Sequence, residues 1–301
     1  MTTVADPTTG PTTDLAADAA AADLASPAAA VASAEPARLA EWWRDTRVFA
    51  GRNLQHIRQI PEKLLDVTVQ PLMFVLLFSY VMGGAIAVQG GNYREYLIGG
   101  ILLQSLAFGM AGPAVSMATD LTEGVVDRFR SLPTSRAAYL SGHVLAELAG
   151  MVLAVTVLLG AGLAVGWRAH TDALHIATAL GLLLLFAAAM TWTGTLIGLS
   201  VRSADAVMGI AFTAVFPLTF VSNAFVPLET LPTVLQHVAV WNPVSVLVAA
   251  VRELFGNPEA PVPIDTWPMQ HPVAAGFAYC VVILAIAVPL TLRKYRSRTS
   301  D

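Results

Sequence analysis

Val273-Ala-Ala-Gly-Phe-Ala-Tyr-Cys-Val-Val-Ile-Leu-Ala-Ile-Ala-Val-Pro-Leu-Thr-Leu292 contains no charged residue, and Arg293-Lys294-Tyr-Arg296 follows it at once. A helix of about 20 apolar residues is long enough to cross a bilayer's hydrocarbon core. Basic residues collect at the cytoplasmic end of such helices. The stretch therefore reads as a membrane span that delivers the C-terminus to the cytoplasm. The whole chain supports lipid as its solvent. Of its 301 residues, 55% are hydrophobic and 13% charged, with a mean hydropathy of +0.63, where a soluble domain carries roughly 25% charged residues.

Working outward, six segments have the length and composition of spans: about 64–88, 96–119, 138–166, 173–200, 206–227 and 272–292. The prolines within them, at 71, 113, 217 and 289, are tolerable because neighbouring helices satisfy the freed carbonyls. Pro217 and Val221-Ser222-Asn223 set an early limit on the fifth. Arg38, Arg44, Arg47, Arg52, Arg58, Lys63, Arg128, Arg130, Arg136, Arg202, Arg293, Lys294, Arg296 and Arg298 fall on one side of this layout. Only Arg94, Arg168 and Arg252 fall on the other. The bias puts both termini and the 120–137 loop in the cytoplasm of a multi-pass plasma-membrane protein. The 15 arginines against two lysines read as GC-rich bacterial coding.

Residues 1–37 hold no Lys or Arg and few large apolar side chains, which predicts a disordered cytoplasmic tail rather than a signal peptide. In 38–60, Leu39, Trp43, Thr46, Ala50, Leu54 and Ile57 recur at helical spacing among arginines. This pattern predicts an amphipathic helix on the inner leaflet, in contact with membrane lipids. A transmembrane domain over 61–292 and a basic tail over 293–301 complete the chain. Between spans five and six, the apolar pieces 233–240 and 244–251 are too short to cross, and Pro227, Pro232 and Pro243 punctuate them. They predict an extracellular re-entrant hairpin. The expected fold is an all-α polytopic membrane protein with six transmembrane helices, an interfacial N-terminal helix and this hairpin.

Much chemistry is excluded. The two lysines, Lys63 and Lys294, follow Glu62 and Arg293, so no G-x-x-x-x-G-K-[ST] phosphate cradle exists. The single cysteine, Cys280, allows no disulfide within the chain and no cysteine-built metal site. Zinc-protease and serine-elbow motifs are absent. No catalytic, cofactor-binding or metal residue is expected, and no nucleic-acid partner. Glu147 lies about a turn deeper in span three than His143; it is expected to face the bundle interior and is a candidate for the translocation path. Gly162-x-x-x-Gly166 and Gly194-x-x-x-Gly198 suit close helix packing. Asp265, His271 and Glu259 are too scattered to form a catalytic cluster.

Two segments carry a resemblance. The inner loop reads Asp120-Leu-Thr-Glu-Gly-Val-Val-Asp-Arg-Phe-Arg-Ser-Leu-Pro-Thr-Ser-Arg136. The outer hairpin reads Phe225-Val-Pro-Leu-Glu-Thr-Leu-Pro232, then Trp241-Asn242-Pro243, then Arg252. Together they resemble the ABC-2 type permeases, particularly the daunorubicin- and doxorubicin-resistance group, over about 40–292. The resemblance implies the membrane-spanning subunit of an exporter for a drug, lipid or lipid-linked glycan. It implies pairing as a homodimer or with a second permease, and docking on an ABC ATPase subunit that holds the ATP and Mg2+. The chain itself would not be an enzyme. The inner loop has properties suited to coupling: a short helix over 120–131 sets Glu123 and Asp127 on one face, with Arg128, Phe129 and Arg130 near its end and Leu132-Pro133 as its stop. The rival reading is a secondary carrier or channel with no ATPase partner. It predicts midplane ionisable residues in paired repeats, and Glu147 alone lies near the midplane.

Overall fold

A computed structural model of the chain describes residues 69, 72–82, 92–124, 136–201 and 203–298. The expected tail over 1–37, the interfacial helix over 38–60 and the loop residues Asp127 to Pro133 lie outside the described residues. Every regular element among the described residues is helical. In chain order these are α1 (Leu72–Val81), α2 (Tyr93–Gly109), α3 (Ala111–Thr122), α4 (Arg136–Ala164), α5 (Ala173–Gly198), α6 (Ala204–Phe220), α7 (Thr233–Ala239), α8 (Pro243–Phe255), α9 (Trp267–Gln270) and α10 (Pro272–Arg298). A π-helical turn covers Phe78–Met82, and a 3-10 turn covers Leu228–Thr230.

Among the described residues, four helices are long and apolar enough to cross a membrane: α2 with α3 as one rod, α4, α5 and α10. They overlie the second, third, fourth and sixth expected spans. At about 1.5 Å per residue the 26 residues of α5 extend about 39 Å. The described part of the first expected span is the short α1. The fifth is α6, whose 17 residues end at Phe220. Asn242 explains that early end, because its amide Nδ2 donates to the Leu218 and Val221 carbonyls, both at 2.6 Å. The helix therefore stops on a side-chain partner rather than on another turn.

The α2–α3 rod is interrupted at Met110 for a local reason. Pro113 has no N–H to give the Gly109 carbonyl, so the regular i to i−4 pattern fails there. Across this break the rod packs on α5. A Cβ at Gly194 would lie 2.1 Å from the Met110 carbonyl oxygen, and one at Gly198 would lie 2.4 Å from that of Ala114. Only residues without a side chain allow such an approach. The main core runs from Tyr96, Leu97, Ile101 and Leu103 of the rod to Leu182, Leu183 and Phe186 of α5 and Leu247, Val248 and Val251 of α8. A smaller cluster at the other end joins Met117, Tyr139, Leu140, Leu199 and Tyr295. There the Tyr139 hydroxyl donates to the Asp120 carboxylate at 2.5 Å.

The helix expected across 120–131 is not continuous. α3 ends at Thr122, and Gly124 takes a left-handed φ of 67°. Glycine adopts that conformation without strain and so closes helices at this position. Sequence reasoning treated the acidic spacing as one helix and passed over the glycine between Glu123 and Val125.

Candidate functional site

Each predicted hairpin residue has a local role. The Pro227 carbonyl accepts the Thr230 N–H at 3.1 Å and the Thr230 hydroxyl at 2.7 Å, closing the 3-10 turn. The Pro232 carbonyl accepts the Gln236 N–H at 3.0 Å and so begins α7. α7 and α8 meet at a 70° bend. Asn242 caps α8, its Oδ1 accepting the Val244 N–H at 2.9 Å. Pro243 occupies the first turn, where its missing N–H costs nothing. Gly256 ends α8 with φ 64°, and a Cβ there would come within 2.9 Å of the His170 carbonyl oxygen. Both the dihedral and the space require glycine.

Arg252, in the last turn of α8, is fully buried. Its Nε donates to the Tyr96 carbonyl at 2.8 Å. Its Nη2 donates to the carbonyls of Asn223 at 2.9 Å and Ala224 at 3.2 Å. The guanidinium carbon lies 3.4 Å from the centroid of the Tyr96 ring. A desolvated contact of that kind is worth about 2 kcal/mol. The Glu259 carboxylate stands 3.7 Å from Nη1 and also accepts from Asn223 Nδ2 at 3.2 Å. The Tyr96 hydroxyl donates to the Asn223 carbonyl at 2.8 Å, closing the ring of contacts. A buried cation is tolerated only with such partners. Carbonyls, an aromatic face and one carboxylate supply them here.

Glu259 sits in the loop after α8, with its side chain 32% exposed. Burial raises its pKa above the ordinary glutamate value, and the attraction of Arg252 offsets only part of that rise. Tyr96, Asn223 and Glu259 are the members of this cluster that sequence reasoning missed. Tyr96 was read as the first residue of an apolar span, and Glu259 as one of three scattered polar residues. The usable signal was the charge on Arg252 directly after the apolar run 244–251, which implies buried partners somewhere in the chain.

The remaining candidates lie elsewhere. Glu123 is exposed at the end of α3, and its N–H donates to the Thr119 carbonyl at 2.9 Å. Asp127, Arg128, Phe129, Arg130, Leu132 and Pro133 lie outside the described residues. Glu147 faces α3: its Oε2 is 3.4 Å from the point where a Cβ on Gly112 would stand. His143, a turn before it, is fully buried and stacks on Tyr139 with centroids 6.5 Å apart. Among the described residues no group of three or more His, Cys, Asp or Glu is arranged to hold a metal ion.

A bundle of membrane-crossing helices joined to a short bent helix pair defines a polytopic membrane protein. The chain belongs to the ABC-2 type transporter family, whose family model matches residues 44–255. It is 30% identical over 270 residues to a daunorubicin resistance ABC transporter permease protein of Streptomyces coeruleorubidus, covering 89% of each chain. It is 26% identical over 221 residues to a doxorubicin resistance ABC transporter permease protein of Mycobacterium tuberculosis, covering 73% of this chain and 76% of that one. A putative transport permease of Cyanophora paradoxa is 23% identical over 216 residues, covering 70% of this chain and 73% of that one.

Proposed function

We propose that the chain is the membrane-spanning permease subunit of an ATP-driven exporter that moves a hydrophobic or amphiphilic substrate out of a bacterial cell. The observation that carries this reading is the 30% identity, over 89% of both chains, with a permease named for daunorubicin resistance. ATP and Mg2+ act on a separate ATPase subunit, because this sequence has no loop able to cradle phosphate. α1 and α6 complete a six-span layout, and the arginine bias holds both termini in the cytoplasm. The 13 residues of α8 reach only about 20 Å, which supports a re-entrant hairpin over a crossing helix.

Pairing with a second permease is supported by α6. That helix meets the bundle along the single ridge Val207, Ala211, Val215 and Thr219. Its opposite side carries a shallow groove lined by Ala206, Gly209, Ile210, Thr213 and Ala214. Small residues in such a groove admit another helix closely.

Isolation of the tagged chain from its native membrane tests the function. An ATPase subunit should copurify, and vesicles containing both should move an amphiphilic dye only with ATP and Mg2+. Isolation without any nucleotide-hydrolysing partner, with transport driven by an ion gradient alone, would replace this reading with the secondary carrier.

A further inference from the structure

One guanidinium joins four separate parts of the chain. Arg252 of α8 holds the first turn of α2 through Tyr96, the turn after α6 through Asn223 and Ala224, and the loop after α8 through Glu259. The turn also meets α2 directly. A Cβ at Gly100 would lie 1.9 Å from the Ala224 carbonyl oxygen, so backbone rests on backbone there. The Tyr93 hydroxyl adds a bond to the Phe225 carbonyl at 3.1 Å. These contacts hold three parts of the outer hairpin, namely α8, the turn after α6 and the loop after α8, to one end of the α2–α3 rod. Densely packed and hydrogen-bonded parts of this kind move together rather than deform.

The other end of the same rod is α3, which finishes at Thr122 and Glu123, where the inner loop begins. The rod therefore joins the inner loop to the outer hairpin directly. We infer that Arg252 is a positioning residue that fixes the outer hairpin to this rod, so that displacement of the rod's inner end is delivered to the outer surface of the membrane. The inference rests on the permease reading for the source of that displacement. The tie itself rests only on the contacts above.

Two measurements test it, one of which needs no partner. In lipid nanodiscs containing this chain alone, hydrogen exchange is followed at the amides of 96–100 and 223–226 in wild type and in Arg252→Lys. A lysine has one ammonium and cannot serve the Tyr96, Asn223 and Ala224 carbonyls together. Both segments should exchange faster by a similar factor, about tenfold, while α5 stays unchanged. Acceleration of one segment without the other, or of neither, overturns the tie and leaves the permease reading untouched.

In vesicles containing the ATPase complex, the second readout is substrate exported per ATP hydrolysed. A role confined to folding lowers the amount of intact complex and leaves that ratio fixed. A positioning role lowers the ratio, by about tenfold for Arg252→Lys if the lost contacts act in the coupled motion. Should the lysine variant fail to insert, Tyr96→Phe removes only the bond to the Asn223 carbonyl. It should still lower the ratio, by about threefold. An unchanged ratio in whichever variant inserts overturns the proposal. The absence of any ATPase partner would instead count against the permease reading, with the exchange result still deciding the tie.

Discussion

Gly194 of α5 lies against the Met110 carbonyl of the α2–α3 rod so closely that a Cβ added there would stand 2.1 Å from the oxygen. Gly181, on the same helix, has open space at its Cβ position, with no atom of another helix within 4 Å. The two glycines therefore separate packing from helix propensity. Gly194→Ala should force the helices apart and destabilise the protein by about 1–3 kcal/mol. Gly181→Ala should be neutral or slightly stabilising, because alanine is the better helix former by about 1 kcal/mol. Thermal unfolding in detergent would compare them, and equal midpoints would refute the close approach.

Asn242 combines three hydrogen bonds in one side chain, capping α8 and stopping α6. Asn242→Ala removes all three and should cost about 2–3 kcal/mol. Asn242→Ser retains a cap for α8 but loses the two bonds to α6, and should fall between alanine and wild type. Limited proteolysis within 221–242 should follow the same order.

Glu259 gives the stability a definite pH dependence. Its pKa is raised in the folded protein, so the native state holds that proton more tightly than the unfolded chain does. Its contribution is therefore fully present below the ordinary glutamate value and is lost as pH rises through the folded value. Glu259→Gln should remove this fall. Melting curves across the acid-to-neutral range should show wild type losing stability relative to the glutamine variant as pH increases. A difference that grows in the opposite sense would mean the pairing with Arg252 outweighs the burial.

Topology can be read by labelling on a Cys280→Ser background. Cysteines at Thr171 and Asp265 should react with an impermeant maleimide added outside intact cells. Those at Ser200 and Ser297 should react only after the membrane is opened. Labelling of Asp265→Cys from inside alone would reverse the orientation set by the arginines.

The coupling expected of the inner loop would seat Phe129, between Arg128 and Arg130, in a groove of the ATPase subunit. Phe129→Ala should weaken association by about 2 kcal/mol, roughly thirtyfold, without altering membrane abundance. Arg128→Ala and Arg130→Ala should cost less, and their effect should fade with salt. Pull-down of the ATPase subunit at wild-type strength by Phe129→Ala would reduce the loop to an anchor of topology.

The sequence alone was enough for the helical class and for the location of the four long spans, because these depend on local properties. Twenty apolar residues must form a helix in lipid, whatever the rest of the chain does. The helix stop at Gly124 was equally local, and the acidic spacing around it was given too much weight. The cluster around Arg252 was different. Arg252, Tyr96, Asn223 and Glu259 are brought together across as many as 163 positions of chain, and nothing in the residues beside each one names its partner. Only the tertiary structure chose them, because a guanidinium removed from water must find carbonyls, an aromatic face and a carboxylate wherever the packed helices place them.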